Sequence, residues 1–179
     1  MNGRVERNGG EYRRLRLMGW GYSIGIALIV VVLVFTLWLQ SIQIVDNGMA
    51  PVLRQGDIVL FDKLAKYAST PARGDAYAFY NEAGGVSIGR VVGLSGERVQ
   101  IIDGMVYING LLLDESRYIA TPGGALEEIT LGQGEFLLLP DDRTAALLEA
   151  DAVTIPFSRL IGRAAMRVSP WGRACFFSA

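Results

Sequence analysis

"RVQIIDGMVYINGLLL", residues 98–113, holds two short apolar runs and two turn dipeptides. Arg98–Asp103 and Met105–Leu113 are rich in Val, Ile and Leu. They repeat at the short period of a strand, not at the 3.6-residue period of a helix. Asp103-Gly104 separates them. Asn109-Gly110 is a strong two-residue hairpin signal, because both residues accept the positive φ of a type I′ turn. The same punctuation continues outward. Asp57–Lys63 (DIVLFDK), Asp75–Asn81 (DAYAFYN) and Val86–Leu94 (VSIGRVVGL) precede this stretch, and Gly134–Pro140 and Leu160–Pro170 follow it. Pro71–Gly74, Gly84-Gly85, Ser95-Gly96 and Gly123-Gly124 mark the breaks. Many short strands between turns predict a mainly β domain, a barrel or sandwich of antiparallel strands. Only Ala145–Ala150 hints at a helical turn.

The chain has 179 residues and is 51% apolar, more than a water-soluble β domain needs. The excess is local. Leu17 to Val45 carries no charge and exceeds the ~20 apolar residues that cross a bilayer. It is longer than a signal-peptide core, about 7–15 residues, and no small-x-small cleavage site follows it. The expectation is an uncleaved single-pass anchor over 17–45. A basic arm, 1–16, precedes it, with Met1–Arg14 disordered, and one domain, 46–179, follows. Arg4, Arg7, Arg13, Arg14 and Arg16 against Glu6 and Glu11 place the N-terminus in the cytoplasm and the domain outside the cell membrane. Trp20, Tyr22 and Trp38 fit interfacial anchors.

Composition excludes several chemistries. There is no histidine, so Ser-His-Asp and Cys-His catalysis are absent. Cys175 is the single cysteine and cannot form an internal disulfide. The carboxylates show no calcium-loop pattern, so no metal and no cofactor is expected. Beyond the anchor, acidic residues outnumber basic ones, which argues against a nucleic-acid partner.

Five boxes in order resemble the type I signal peptidases, the membrane-anchored Ser/Lys peptidases of bacteria. They are "GMAPVLRQGDIVLFDK" (48–63), "ARGDAYAFY" (72–80), "SIGRVVGLSGERVQIIDGMVYINGLLLDE" (87–115), "GEFLLLPDDR" (134–143) and "TIPFSRLIGRA" (154–164). The resemblance implies a serine nucleophile, a neutral lysine base, and a groove in which an extended peptide adds as a strand between the segments that hold them. The nucleophile position falls on Gly48 and the base position on Gly89, and neither glycine can attack or take a proton. Arg90 does not deprotonate and cannot replace the base. The oxyanion-hole serine falls on Asp46, whose carboxylate would repel an oxyanion. By the family's spacing from Arg143, its supporting serine, aspartate and second arginine fall on Ala146, Leu148 and Ala150, and its opening glycine falls on Pro140. A rewired dyad would have to pair Ser41, Ser87 or Ser95 with Lys63 or Lys66, the only lysines.

The resemblance therefore implies a catalytically degenerate member with a groove left open by Gly48 and Gly89. Gly48, Met49, Pro51, Ser87, Ile88, Gly89 and Arg90 would line that groove. Met49, Pro51, Val52 and Leu53 are expected to pack at the bilayer surface. Trp171, Phe176 and Phe177 fit either core or membrane contact. The implied role resembles that of the inactive accessory proteins of pilus assembly in Gram-positive bacteria, which hold pilin, with sortase as a further partner. The alternatives are an active peptidase of exported proteins and a decoy that binds signal peptides or an active paralogue.

Overall fold

The computed structural model describes residues 8–117, 121–143 and 154–177. The chain divides between Trp38 and Leu39 into two compact units. The first contains helix α1, Asn8–Trp38. Its stretch Trp20–Trp38, with mean hydropathy 2.3, is long and apolar enough to cross a membrane. Two expectations change here. Residues 8–14, expected to be disordered, are helical. The anchor, expected to reach Val45, ends as a helix at Trp38.

The second unit is built from short strands. They are β1 (Leu39–Gln43), β2 (Ile58–Asp62), β3 (Ala76–Tyr80), β4 (Val86–Gly93), β5 (Arg98–Ile102), β6 (Met105–Ile108), β7 (Leu111–Leu112), β8 (Leu126–Thr130), β9 (Glu135–Leu139), β10 (Thr154–Pro156), β11 (Leu160–Ser169) and β12 (Cys175–Phe176). One helical turn, α2 (Ala65–Ala68), lies between β2 and β3. The larger sheet runs β1-β2-β11-β3-β4-β9-β10, with β12 also on β11, and the smaller runs β7-β6-β5-β8. All strand pairs are antiparallel.

Side-chain alternation makes three cores from these two sheets. In β9, Leu137 and Leu139 join the small-sheet cluster with Val92, Val99, Ile101 and Val106. Phe136 and Leu138 point the other way, into a cluster with Tyr77, Phe79, Val91 and Leu160. A strand buried on both faces must be apolar throughout, which is why "EFLLL" shows no alternation. The third cluster holds Ile44, Met49, Leu53, Val59, Phe61 and Ala78. Met49 and Leu53, expected to pack at the bilayer surface, are thus core residues, 2% and 0% exposed, with no side-chain surface to offer. Phe177 packs against the same cluster. Trp171 and Phe176 are 89% and 81% exposed.

The turns follow their chemistry. Asn109 and Gly110 have φ of 52° and 81° between β6 and β7, and Asp103 and Gly104 have φ of 50° and 78° between β5 and β6. Gly93 sits at a register shift between β4 and β9. There a Cβ would come within 2.7 Å of Leu131 and 2.9 Å of Leu137.

Tyr77 is fully buried, and among the described residues its hydroxyl has no hydrogen-bond partner. Burial, and then the Asp75 charge, push its pKa up to about 12. The unfolded phenol ionises near 10. Between these values the unfolded state has released a proton that the folded state keeps, so stability falls as pH rises through that window. Tyr77→Phe should remove this fall, worth about 2–3 kcal/mol at the top of the window. At neutral pH it should leave stability unchanged or raise it by about 1 kcal/mol, because it removes an orphaned polar group. Urea melts of both proteins at neutral and alkaline pH check this.

Candidate peptide groove

Two loops and one strand bring the sequence-predicted residues together. After β1 the chain turns at Asp46–Leu53. The Asp46 carboxylate accepts the Gly48 N–H through Oδ1 at 2.8 Å, an Asx turn. The Gly48 carbonyl accepts the Asp142 N–H at 2.9 Å, which ties this turn to the chain after β9. A Cβ at Gly48 would stand 3.1 Å from Asp46 Oδ1 and 3.7 Å from Pro140 Cβ. A Cβ at Gly89 in β4 would stand 3.1 Å from Leu138 Cβ and 3.4 Å from Phe79 Cε1. Both glycines therefore abut the 138–140 segment. The space expected to be open at each is partly taken, by a carboxylate at Gly48 and by two core side chains at Gly89.

β4 offers a partly free edge. On one side its residues 86–90 pair with β3. On the other, β9 reaches only Arg90–Gly93. Among the described residues, nothing pairs with the outer side of Val86–Gly89. The Val91 N–H bonds to Asp75, and the Gly85 carbonyl accepts from Asn81, both on the β3 side. In an antiparallel ladder these directions alternate. The N–H and C=O of Ile88 therefore face the free side. The Ile88 side chain lies against the cluster of Met49 and Leu53. Pro51 of the same loop is exposed.

Two buried ion pairs fix the segment that both glycines touch. Arg90 donates Nε and NH2 to the two Asp141 oxygens at 2.7 and 2.6 Å, and NH1 to the Gly74 carbonyl at 2.7 Å. Burial pushes the Asp141 carboxyl above its usual range, against the pull of the Arg90 guanidinium. Two residues on, Arg143 grips Glu115 through both amino groups at 3.0 and 2.7 Å and donates Nε to the Pro140 carbonyl at 3.1 Å. Both arginines are almost fully buried. A cavity of about 250 Å³ shares Leu53 and Arg90 with this region and is walled by Asp75, Arg163, Phe176 and Phe177.

Three members of the alternative dyads, Ser87, Ser95 and Lys66, are engaged by other groups. Ser87 Oγ takes the Asn81 amide at 3.0 Å. Ser95 Oγ donates to the Glu135 carbonyl and accepts the Gly134 N–H. The Lys66 amine donates to the Leu160 carbonyl and lies 5.0 and 5.6 Å from the Tyr67 and Phe157 ring centroids. Among the described residues no cluster suited to a metal occurs. Ala146, Leu148 and Ala150, and the helical turn expected at Ala145–Ala150, lie outside the described residues. Sequence reasoning missed Asp141 and Glu115, the partners of Arg90 and Arg143. Neither carboxylate has a local signal that names its arginine.

Comparison with known proteins decides the family. The model described as "Signal peptidase, peptidase S26" matches residues 17–169. The chain belongs to that family. It is 29% identical to signal peptidase I of Leptolyngbya laminosa, over 84% of this chain and 79% of that protein. It is 27% identical to the probable signal peptidase I-2 of Synechocystis, over 84% of this chain and 72% of that protein. Signal peptidase I U of Bacillus subtilis is 24% identical over 81% of this chain and 85% of its own length. A crystal structure of a signal peptidase I from Enterococcus faecalis aligns with 53% of this chain and 97% of its own, at 23% identity and a TM-score of 0.42. Family membership and the apolar helix Trp20–Trp38 together fit a membrane-anchored protein.

Proposed function

We propose that this member of the peptidase S26 family binds polypeptide without cleaving it. Its domain stands outside the cell membrane and its N-terminus in the cytoplasm. The ligand is an extended segment of an exported protein, added as a strand to the free edge of β4. Main-chain hydrogen bonds supply affinity in that mode, and shallow pockets select side chains. One observation carries the reading. At both positions where the family resemblance puts the dyad there is glycine, and neighbouring groups crowd the place that a Cβ would take. Ile88 leaves its peptide groups free beside them. Pilin subunits held before polymerisation are the occupant that the resemblance suggests.

Active signal-peptide cleavage is the second reading, favoured by the names of the relatives. A cleavage assay separates the two. The full-length protein in detergent, given a standard signal-peptide substrate, should show no turnover. Turnover abolished by Ser87→Ala or Lys63→Ala would overturn the proposal. A photoreactive residue at position 48 should crosslink a captured polypeptide in membranes. Pilin or sortase would support the pilus role, whereas an active paralogue would support a decoy.

A further inference from the structure

We infer that the peptide groove is capped from within: the Asp46 carboxylate holds the Gly48 N–H that the carbonyl of a bound polypeptide would take. This rests on the peptide-binding reading and adds a residue that sets its affinity. Gly48 has two peptide groups to offer. Its carbonyl is engaged by Asp142 N–H. Its N–H, engaged by Asp46 Oδ1 at 2.8 Å, is the donor that a ligand strand between this loop and Ile88 could use.

The competition is asymmetric. The Asp142 bond joins two backbone segments, and Asp142 follows Asp141, which the buried Arg90 pair holds in place. The Asp46 bond is made by an exposed side chain two residues away, free to swing aside by rotation. It is the replaceable one. A donor occupied in most molecules lowers the apparent affinity by the fraction that is free. The same carboxylate would lie 3.1 Å from a Cβ at position 48, so it also crowds any side chain placed there.

Binding measured on the full-length protein in detergent tests this. Two fluorescein-labelled decapeptides of alternating Ala, Val and Thr serve as probes, one neutral and one with a central lysine. Asp46→Ala should tighten both by roughly tenfold, the size of one charge-assisted hydrogen bond. Asp46→Asn keeps an acceptor at the same place and should change affinity by less than about threefold. Hydrogen exchange over residues 46–50 should quicken in Asp46→Ala and not in Asp46→Asn, a readout that needs no ligand. Unchanged affinity in Asp46→Ala overturns the cap. So does weaker binding of the lysine probe alone, which would make Asp46 a cation selector. If neither wild type nor Asp46→Ala binds either probe, the peptide-binding reading itself fails. If only Asp46→Ala binds, both ideas stand.

Discussion

Replacing Glu115 with alanine is expected to lower the melting midpoint by roughly 10 °C, through loss of about 3–5 kcal/mol. The loss is large because of what stays behind. The Arg143 side chain is 2% exposed, and both of its amino groups point at Glu115. Without the carboxylate a guanidinium remains buried with, among the described residues, the Pro140 carbonyl alone to accept from it. The charge itself is not the stabilising element. A double variant, Glu115→Leu with Arg143→Met, removes both charges and should recover most of the loss. Thermal melts of the two single variants and the double variant form a cycle whose coupling should exceed about 2 kcal/mol. A single variant within about 1 kcal/mol of wild type would mean that the pair is solvated.

The residues that the sequence revealed and those that it hid differ in range. Asp103-Gly104 and Asn109-Gly110 read as turns because a type I′ turn is decided by the two residues in it. β3 and β4 read as strands because short apolar runs stand between turn residues, although both strands are buried on two faces and their burial does not alternate. β1 was hidden inside a longer uncharged run. Apolar residues serve a membrane span and a strand equally well, and no charge separates Trp38 from Leu39. Its cue was weak, since the pairing of Leu39–Gln43 with Ile58–Asp62 depends on residues nearly twenty positions away. β8 was missed because it is an edge strand with adjacent exposed Glu127 and Glu128, so its burial does not alternate.

The candidate site divides along the same line. Gly48, Gly89 and Arg90 were legible through motif order, and the structure gathers the two glycines against one segment. The state of the space beside them was not legible. A glycine leaves room only if its neighbours do not move in. At Gly89 the neighbours come from β3 and β9, and no local pattern states how closely they pack. Asp46 is the exception. An aspartate two residues before a glycine is a local Asx-turn signal, and the hydrogen bond that it forms is the one that such spacing favours.

The Arg90–Asp141 pair should carry the second large effect, and its consequence reaches the groove. Asp141→Ala leaves the Arg90 guanidinium buried without its carboxylate, its NH1 still donating to the Gly74 carbonyl, and about 3 kcal/mol or more should be lost. Asp141 immediately precedes Asp142, whose N–H anchors the Gly48 carbonyl, and Arg90 immediately follows Gly89. One broken pair therefore frees both walls of the proposed groove at once. Hydrogen exchange should quicken together in residues 86–91 and 46–50, while β5 and β6 in the small sheet keep their protection. Arg90→Met with Asp141→Leu should restore most of the stability by removing the stranded charge. Its packing differs from that of the fork-shaped pair, so it restores rigidity only where apolar contact suffices. Faster exchange confined to β4, with 46–50 unchanged, would mean that the Asp142–Gly48 bond holds without the pair, and the coupling between the two walls would be lost as an idea. Faster exchange in both walls, with neutral-decapeptide binding weakened by more than stability alone explains, would make Arg90 and Asp141 positioning residues of the groove.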